Sequence, residues 1–223
     1  MGSVIVGIFS RVLERRLRNA CPLHPRQRGF IPPRGCSENL MLLDAAMKIS
    51  RRGRKKLGVV FIDFAKAFDT VSHHHLRAVL EERGVDDHFT NVVFAGYDGC
   101  VTRVRCGSGT TLDIPMKVGV KQGDSLSPLL FNLAIDPLIN TIEREGRGVS
   151  FGNYYIAAMA FADDLVLLSD SARNLIILQT FCQLTGMRCN PAKCHGFFIG
   201  KTTGRTTYNA GITWMLDGGC AST

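Results

Sequence analysis

The sequence predicts an α+β fold in which helices pack on a mainly antiparallel sheet. Three observations carry that expectation. Apolar residues recur at helical spacing in five segments, and short runs rich in β-branched and aromatic residues lie between them. The order is strand, helix, hairpin, helix and then neighbouring strands, without the strict strand–helix alternation that a parallel sheet needs. At 223 residues, with 45% hydrophobic and 21% charged residues, the chain can bury a real core as one domain or two closely joined lobes.

The elements follow in order. Residues 5–18 carry Ile5, Phe9, Val12, Leu13 and Leu17 at helical spacing, with arginines on the other side. CPLHPRQRGFIPPRG is a loop rich in Pro, Gly and Arg. A second helix starts at a Ser37 cap, presents Leu40, Leu43 and Met47, and stops near Gly53. LGVVFIDF, residues 57–64, reads as a largely buried strand with Asp63 near its end. A short amphipathic helix runs from Ser72 to Arg83 and ends at Gly84. VTRVRC and TTLDIPMKV flank Gly107-Ser108-Gly109 as a hairpin. SLSPLLFNLAIDPLINTIEREG is a long apolar helix with Ser127 as cap and Pro128 in its first turn, and Pro137 is expected to bend or divide it. Two short strands then surround Asp163-Asp164, a helix spans Ser171 to Thr185, and a last strand runs through Gly196-Phe197-Phe198-Ile199. No internal repeat or low-complexity linker is present.

Charge narrows the partners. The 27 Lys and Arg against 19 Asp and Glu give a formal charge of +8, which suits a polyanion such as nucleic acid but also fits a mildly basic soluble protein. Arg11, Arg15, Arg16 and Arg18 form one basic cluster and Arg51, Arg52, Arg54, Lys55 and Lys56 a second, either solvated faces or phosphate contacts. Apolar runs such as VIVGIF are too short to span a bilayer. Val6 occupies the position where a myristoylation signal needs Ser or Thr. With no secretory signal visible, the chain is expected to be intracellular and not membrane-bound. The 8 cysteines contain no C-x-x-C pair; Cys182, Cys189, Cys194 and His195 are the nearest approach to a ligand set, and reduced thiols are the expected state.

The chemistry centres on AFADDLVLLSD, residues 160–170, where Asp163 and Asp164 interrupt an apolar run. Two carboxylates about 5 Å apart repel by roughly 3 kcal/mol at an effective dielectric of about 20. Successive strand residues face opposite sides, so the pair shares one site only where the chain turns. A solvated turn and a cation site both satisfy that requirement. A strand ending in Asp63 beside such a hairpin would bring three carboxylates to one sheet end. Three hard oxygen donors with room left over describe a Mg²⁺ site that shares its shell with substrate phosphates. His73-His74-His75 looks like a metal run, but consecutive helical residues point in different directions, so it is read as structural.

Several motifs, in order, resemble the reverse transcriptases. Phe161-Ala162-Asp163-Asp164 resembles their aromatic-x-Asp-Asp signature, and VVFIDFAKAFDTV their first palm motif. VKQGDSLSPLLFNLAIDPL resembles their Gln-Gly motif and the helix after it, and TGMRCNPAKCHGFF the Gly-x-x-x-Asn-x-x-Lys region. QRGFIPPRGCSENLMLLD is similar to the fingers segment of non-LTR (LINE-like) retrotransposons, closest to site-specific elements that insert into ribosomal DNA. The resemblance covers roughly residues 5–216.

It implies a reverse-transcriptase palm with partial fingers and no thumb. The expected division is partial fingers over 1–50, palm over 51–71, fingers over 72–125, palm over 126–200, and a tail over 201–223 that stops before the primer grip and thumb. The implied activity is RNA-directed DNA synthesis, with two Mg²⁺ ions, or Mn²⁺ in their place, held by Asp63 and Asp163 while Asp164 completes the acidic cluster. The Phe64 peptide carbonyl is a further oxygen ligand. Phe68, five residues beyond Asp63, matches the steric gate against a ribose 2′-OH; an isolated Phe there would otherwise be a core residue. Gln122 and Gly123 match the pair lining the nucleotide pocket, where a Gly lets backbone approach the template–nucleotide pair closely, although a simple turn before a helix would also account for them. Lys193 matches the proposed general acid for pyrophosphate, with a surface lysine as its plain alternative. Arg28, Arg34 and Arg103 are secondary candidates for template or phosphate contacts. The implied partners are an RNA template, a DNA primer, deoxynucleoside triphosphates and the rest of a larger retrotransposon polyprotein, with synthesis in the cytoplasm and action in the nucleus. The competing expectation is a non-catalytic remnant or nucleic-acid-binding module that keeps the fold.

Overall fold

The structure is a computed structural model that describes residues 4–31, 35–53, 55–107, 109–202 and 205–210. In chain order its elements are α1 (Val4–Ala20), α2 (Cys36–Gly53), β1 (Leu57–Ile62), a 3₁₀ turn (Ala67–Asp69), α3 (His73–Glu82), α4 (Asp87–Ala95), β2 (Val101–Thr102), β3 (Arg105–Cys106), β4 (Gly109–Thr110), β5 (Ile114–Pro115), α5 (Ser127–Glu145), β6 (Val149–Phe151), β7 (Tyr154–Ile156), β8 (Ala158–Phe161), β9 (Asp164–Ser169), α6 (Arg173–Thr185), β10 (His195–Thr202) and β11 (Arg205–Ala210). They fall into two units. One comprises Met1–Pro22 and Phe68–Ala134, the other Leu23–Ala67 and Ile135–Thr223. Residues 23–50, expected with the fingers, therefore cluster with the sheet.

The second unit is built on a five-stranded sheet in the order β11-β10-β1-β9-β8, with every neighbouring pair antiparallel. β1 is central because its apolar residues can be covered on both faces. Leu57 and Val59 join Ala46, Met159, Leu168 and Ile199 in one core cluster, against which Leu43 and Met47 of α2 pack. Leu40, expected on the buried face of α2, is exposed instead. The face turned inward carries the small residues Ala46 and Ser50, which allow the helix backbone close to its neighbours. β6, β7 and the six-residue β11 lie outside the expected strands; β6 and β7, at three residues each, are too short for an alternating pattern to register.

α5 begins at Ser127 and continues through Pro137 to Glu145, so Pro137 does not divide it. Every residue from Leu129 to Asp136 is buried, and that packing outweighs the one backbone hydrogen bond a proline removes.

In the first unit, Ser72 caps α3 by accepting from the His75 N–H at 3.3 Å, and Leu76, Val79 and Leu80 form its buried stripe. α4 lies outside the expected elements; its cap is Asp86, which accepts from the N–H groups of His88 at 2.9 Å and Phe89 at 3.2 Å. In α1 only Ser10, Leu13 and Leu17 are buried, while Ile5, Phe9 and Val12, expected on the covered face, are exposed. Apolar spacing marks a face without supplying the element that covers it. The expected hairpin forms as two short ladders, β2 with β5 and β3 with β4. His73 Nε2 lies 2.7 Å from the Gly119 carbonyl and His75 Nε2 lies 2.8 Å from the Ala134 carbonyl, so both rings tie down backbone. No helix among the described residues is long and apolar enough to cross a membrane.

Candidate active site

Strand register determines where the acids lie. β1 pairs with β9 from Gly58↔Ser169 to Ile62↔Leu165, so Asp63 leaves β1 beside the start of β9. The β8–β9 hairpin closes at Phe161↔Asp164, which makes Ala162 and Asp163 a two-residue turn. Asp163 stands at the tip and Asp164 opens the second arm. Ala162 is buried and has φ 56°, a left-handed conformation that such turns ordinarily give to glycine. The turn is therefore strained and must be held by its surroundings.

The acids also sense each other. Partial burial, and then the charges of Asp163 and Asp63, hold the Asp164 carboxyl above the usual carboxylate range. The Lys193 ammonium lies 3.8 Å from Asp63 Oδ2, in an ion pair between an exposed lysine and a half-buried carboxylate. The backbone of Asp63 is fixed as well, its carbonyl accepting from the Asn190 N–H at 2.8 Å. Ala65 donates to Arg188 in the same bridge, which leaves the Phe64 carbonyl outside it. Among the described residues no three His, Cys, Asp or Glu side chains gather closely enough to enclose a metal ion by themselves. Mg²⁺ does not require that. It takes one or two carboxylates and completes its shell from water and substrate phosphates, and these hard oxygens with unrelieved mutual repulsion fit it.

The shift has a consequence for stability in a chelator-treated sample. A carboxyl whose folded pKa is raised makes the folded state hold more protons, so stability falls as pH rises through the window above the ordinary carboxylate value. Asp164→Asn is expected to raise the melting temperature at neutral pH and to match the native chain at a pH below that range. Because Asp164 is exposed, solvent screens the effect and the gain is about 2 °C at most. Thermal melts at the two pH values check it.

The first unit holds Phe68, Gln122 and Gly123. Phe68 is half-buried and stacks on Phe131, ring centroids 4.5 Å apart and planes 15° from parallel. Gln122 is exposed and donates from Nε2 to Asp69 Oδ1 at 3.2 Å. A Cβ on Gly123 would meet no protein atom within 4 Å. Its φ of 89° is what demands glycine. Both residues border a cleft of about 380 Å³, together with Phe9, Tyr97, Lys121 and Asp124. A second cleft, of about 340 Å³, lies in the other unit beside Asp164 and is walled by Leu40, Phe61, Met159 and Phe161.

Other candidates have partners of their own. Arg28 pairs with Glu38 at 2.9 Å and Arg103 pairs with Asp113, while Arg34 lies outside the described residues. The described cysteines are free thiols, with Cys182 and Cys189 sulfurs 3.8 Å apart.

Residues 3–211 match the family model described as "Reverse transcriptase (RNA-dependent DNA polymerase)". The chain belongs to the reverse transcriptase family. It is 36% identical over 210 residues to the Pol polyprotein of a type-1 R2 retrotransposable element from Popillia japonica, covering 92% of this chain and 30% of that one. It is 35% identical to the R2DM Pol polyprotein of Drosophila melanogaster, covering 86% of this chain and 18% of that one. The chain thus spans under a third of the length of either relative. Its fold is similar to that of Candida albicans telomerase solved with a fragment of telomeric RNA, at TM-score 0.59 and 15% identity over 90% of this chain and 35% of that one. Apo telomerase from Candida tropicalis matches at TM-score 0.58 and 12% identity, over 89% of this chain and 41% of that one.

This reverse transcriptase chain also uses residues that the sequence did not single out. Glu143 Oε1 accepts from the N–H groups of Ala157 at 2.7 Å and Ala158 at 2.8 Å, anchoring the entry to β8. Asn39 Nδ2 donates to the Ala160 carbonyl at 3.0 Å, and the backbone of Arg26 and Arg28 pairs with Ala160 on the same edge. Buried Gln27 grips the turn itself. No local sequence pattern marks these contacts, because each partner lies far away along the chain.

Proposed function

We propose that this chain carries the polymerase core of an RNA-directed DNA polymerase, working on an RNA template, a DNA primer and deoxynucleoside triphosphates within a larger retrotransposon polyprotein. The observation that carries the reading is the convergence of Asp63, Asp163 and Asp164 at one sheet end in a member of this family. The primer 3′-OH attacks the α-phosphorus, a new P–O bond forms, and the bond to the β,γ-pyrophosphate breaks in line. Asp63 and Asp163 supply the carboxylate oxygens for divalent cations, and Asp164 adds negative charge that a cation relieves. When bound, those ions neutralise the triphosphate and stabilise both the entering and the leaving oxygen.

The remaining work belongs to the chain's own groups. The Phe64 carbonyl, outside its strand bridge, is available as an oxygen donor. Phe68, braced on Phe131, is the steric gate that excludes a 2′-OH. Gln122 and the glycine turn after it line the nucleotide pocket. The Lys193 ammonium carries a proton for the departing pyrophosphate. Catalysis rests on positioning and electrostatics, since the protein has little covalent work to do.

Primer extension on an RNA template, by this chain and by a longer reading frame that contains it, tests the proposal. Phe68→Ala is expected to admit ribonucleotides, eroding discrimination roughly 10–100-fold with deoxynucleotide incorporation retained. Unchanged sugar selection would remove the gate assignment. Extension by neither form would favour the non-catalytic remnant.

A further inference from the structure

Gln27 is fully buried, 135 positions from the turn it touches. Its Oε1 accepts two backbone N–H groups, from Ala162 at 2.8 Å and from Gly29 at 2.8 Å. Its Nε2 donates to the Ala162 carbonyl at 3.2 Å. A reversed amide would point an NH₂ at two N–H donors, so the orientation is determined by the network. One side chain thus holds both the N–H and the C=O of Ala162. That residue is the one with φ 56°, and its carbonyl belongs to the peptide that leads into Asp163.

We infer that Gln27 is a positioning residue that clamps the strained Ala162 peptide and thereby fixes Asp163 and Asp164 for cation binding. The alternative, a structural amide filling a core gap, would be satisfied by any set of partners. Here both side-chain hydrogen bonds that Gln27 makes to the hairpin go to the single residue whose backbone conformation aims the acids, while the backbone bridge at Gln27 meets Ala160. Loosening it lets Ala162 relax toward negative φ, which redirects Asp163 without disturbing the β1–β9 ladder. Outer partners that orient ligands in this way typically govern about 10–100-fold in metal affinity.

The inference rests on the proposed cation role of the acids, and its test separates the two. Mn²⁺ alone is titrated into the 223-residue chain and free Mn²⁺ is read by electron paramagnetic resonance, for the native protein, Gln27→Met and Asp163→Asn. Methionine keeps the volume and removes the hydrogen bonds. Gln27→Met is expected to bind Mn²⁺ about tenfold more weakly while unfolding cooperatively. Native-like affinity in Gln27→Met would overturn the inference. Native-like affinity in Asp163→Asn would instead remove the cation role assigned to the acids.

Amide hydrogen exchange on the native chain gives an answer even where Gln27→Met fails to fold. The Ala162 and Gly29 amides are expected to exchange about 100-fold or more slowly than free peptide, the protection of a buried, bonded group. Exchange at the free rate would show that no clamp exists.

Discussion

Gly29→Ala is expected to destabilise the chain by about 3 kcal/mol or more, lowering its melting temperature by roughly 6–12 °C. A Cβ on Gly29 would stand 2.1 Å from the Ala162 nitrogen, 2.7 Å from its Cα and 2.9 Å from its Cβ. The nearest two of those atoms are backbone, so no rotamer change relieves the clash. Either the 26–29 segment or the turn must move. Movement of the segment breaks the Gly29 N–H bond to Gln27 and the Arg28 N–H bond to Ala160, each worth about 1 kcal/mol. Movement of the turn displaces Asp163. Substitution at Gly7, around which a Cβ would meet nothing within 4 Å and whose φ is not left-handed, lacks this steric cost and serves as the comparison in the same melting experiment.

Asp63→Asn and Asp163→Asn should each lower primer extension by about 10³-fold or more, because a lost carboxylate ligand removes several kcal/mol of charge stabilisation and about 4 kcal/mol is 10³ in rate. Folding should hardly notice. Lys193 of the Lys193–Asp63 pair is exposed, and such solvent-screened pairs contribute about 0–1 kcal/mol. Removing the Asp63 charge also relieves Asp164, whose carboxyl is held high partly by it. Together these effects keep the melting temperature within about 2 °C. An acid whose loss silences catalysis while leaving stability intact is doing chemistry, not holding the fold.

The central strand and the hairpin were legible because apolar runs and a period of two are strong local signals. LGVVFIDF became β1, and the turn between FA and LVLL lies where two adjacent acids required one. The four-residue arm AMAF and the six-residue arm DLVLLS are too apolar to read otherwise. Short strands such as β6 and β7 leave no such trace. α4 carries its signal in Asp86, a cap residue ahead of Phe89 and Val93.

The support of the site was a different matter. Gln27 looks like any polar residue in a Pro- and Arg-rich loop, and it acquires meaning only from Ala162. Gly29 likewise looks like loop glycine until the backbone it touches is known. Gln122 reaches Asp69, 53 positions earlier, and no spacing rule joins them. Gly123 has a backbone φ of 89°, a demand for glycine that its neighbours in the sequence do not announce. Local chemistry is written in the sequence; the contacts that aim it are written in the fold.

The central claim is that Asp63 and the Asp163–Asp164 turn carry templated DNA synthesis. The most direct measurement follows a labelled DNA primer on an RNA template of defined sequence, with Mg²⁺ and deoxynucleoside triphosphates, using the longer reading frame that contains this chain. The expected result is product complementary in sequence to the RNA, one pyrophosphate released per nucleotide added, and loss of both in Asp163→Asn. Template-directed product at an undiminished rate in Asp163→Asn would contradict it.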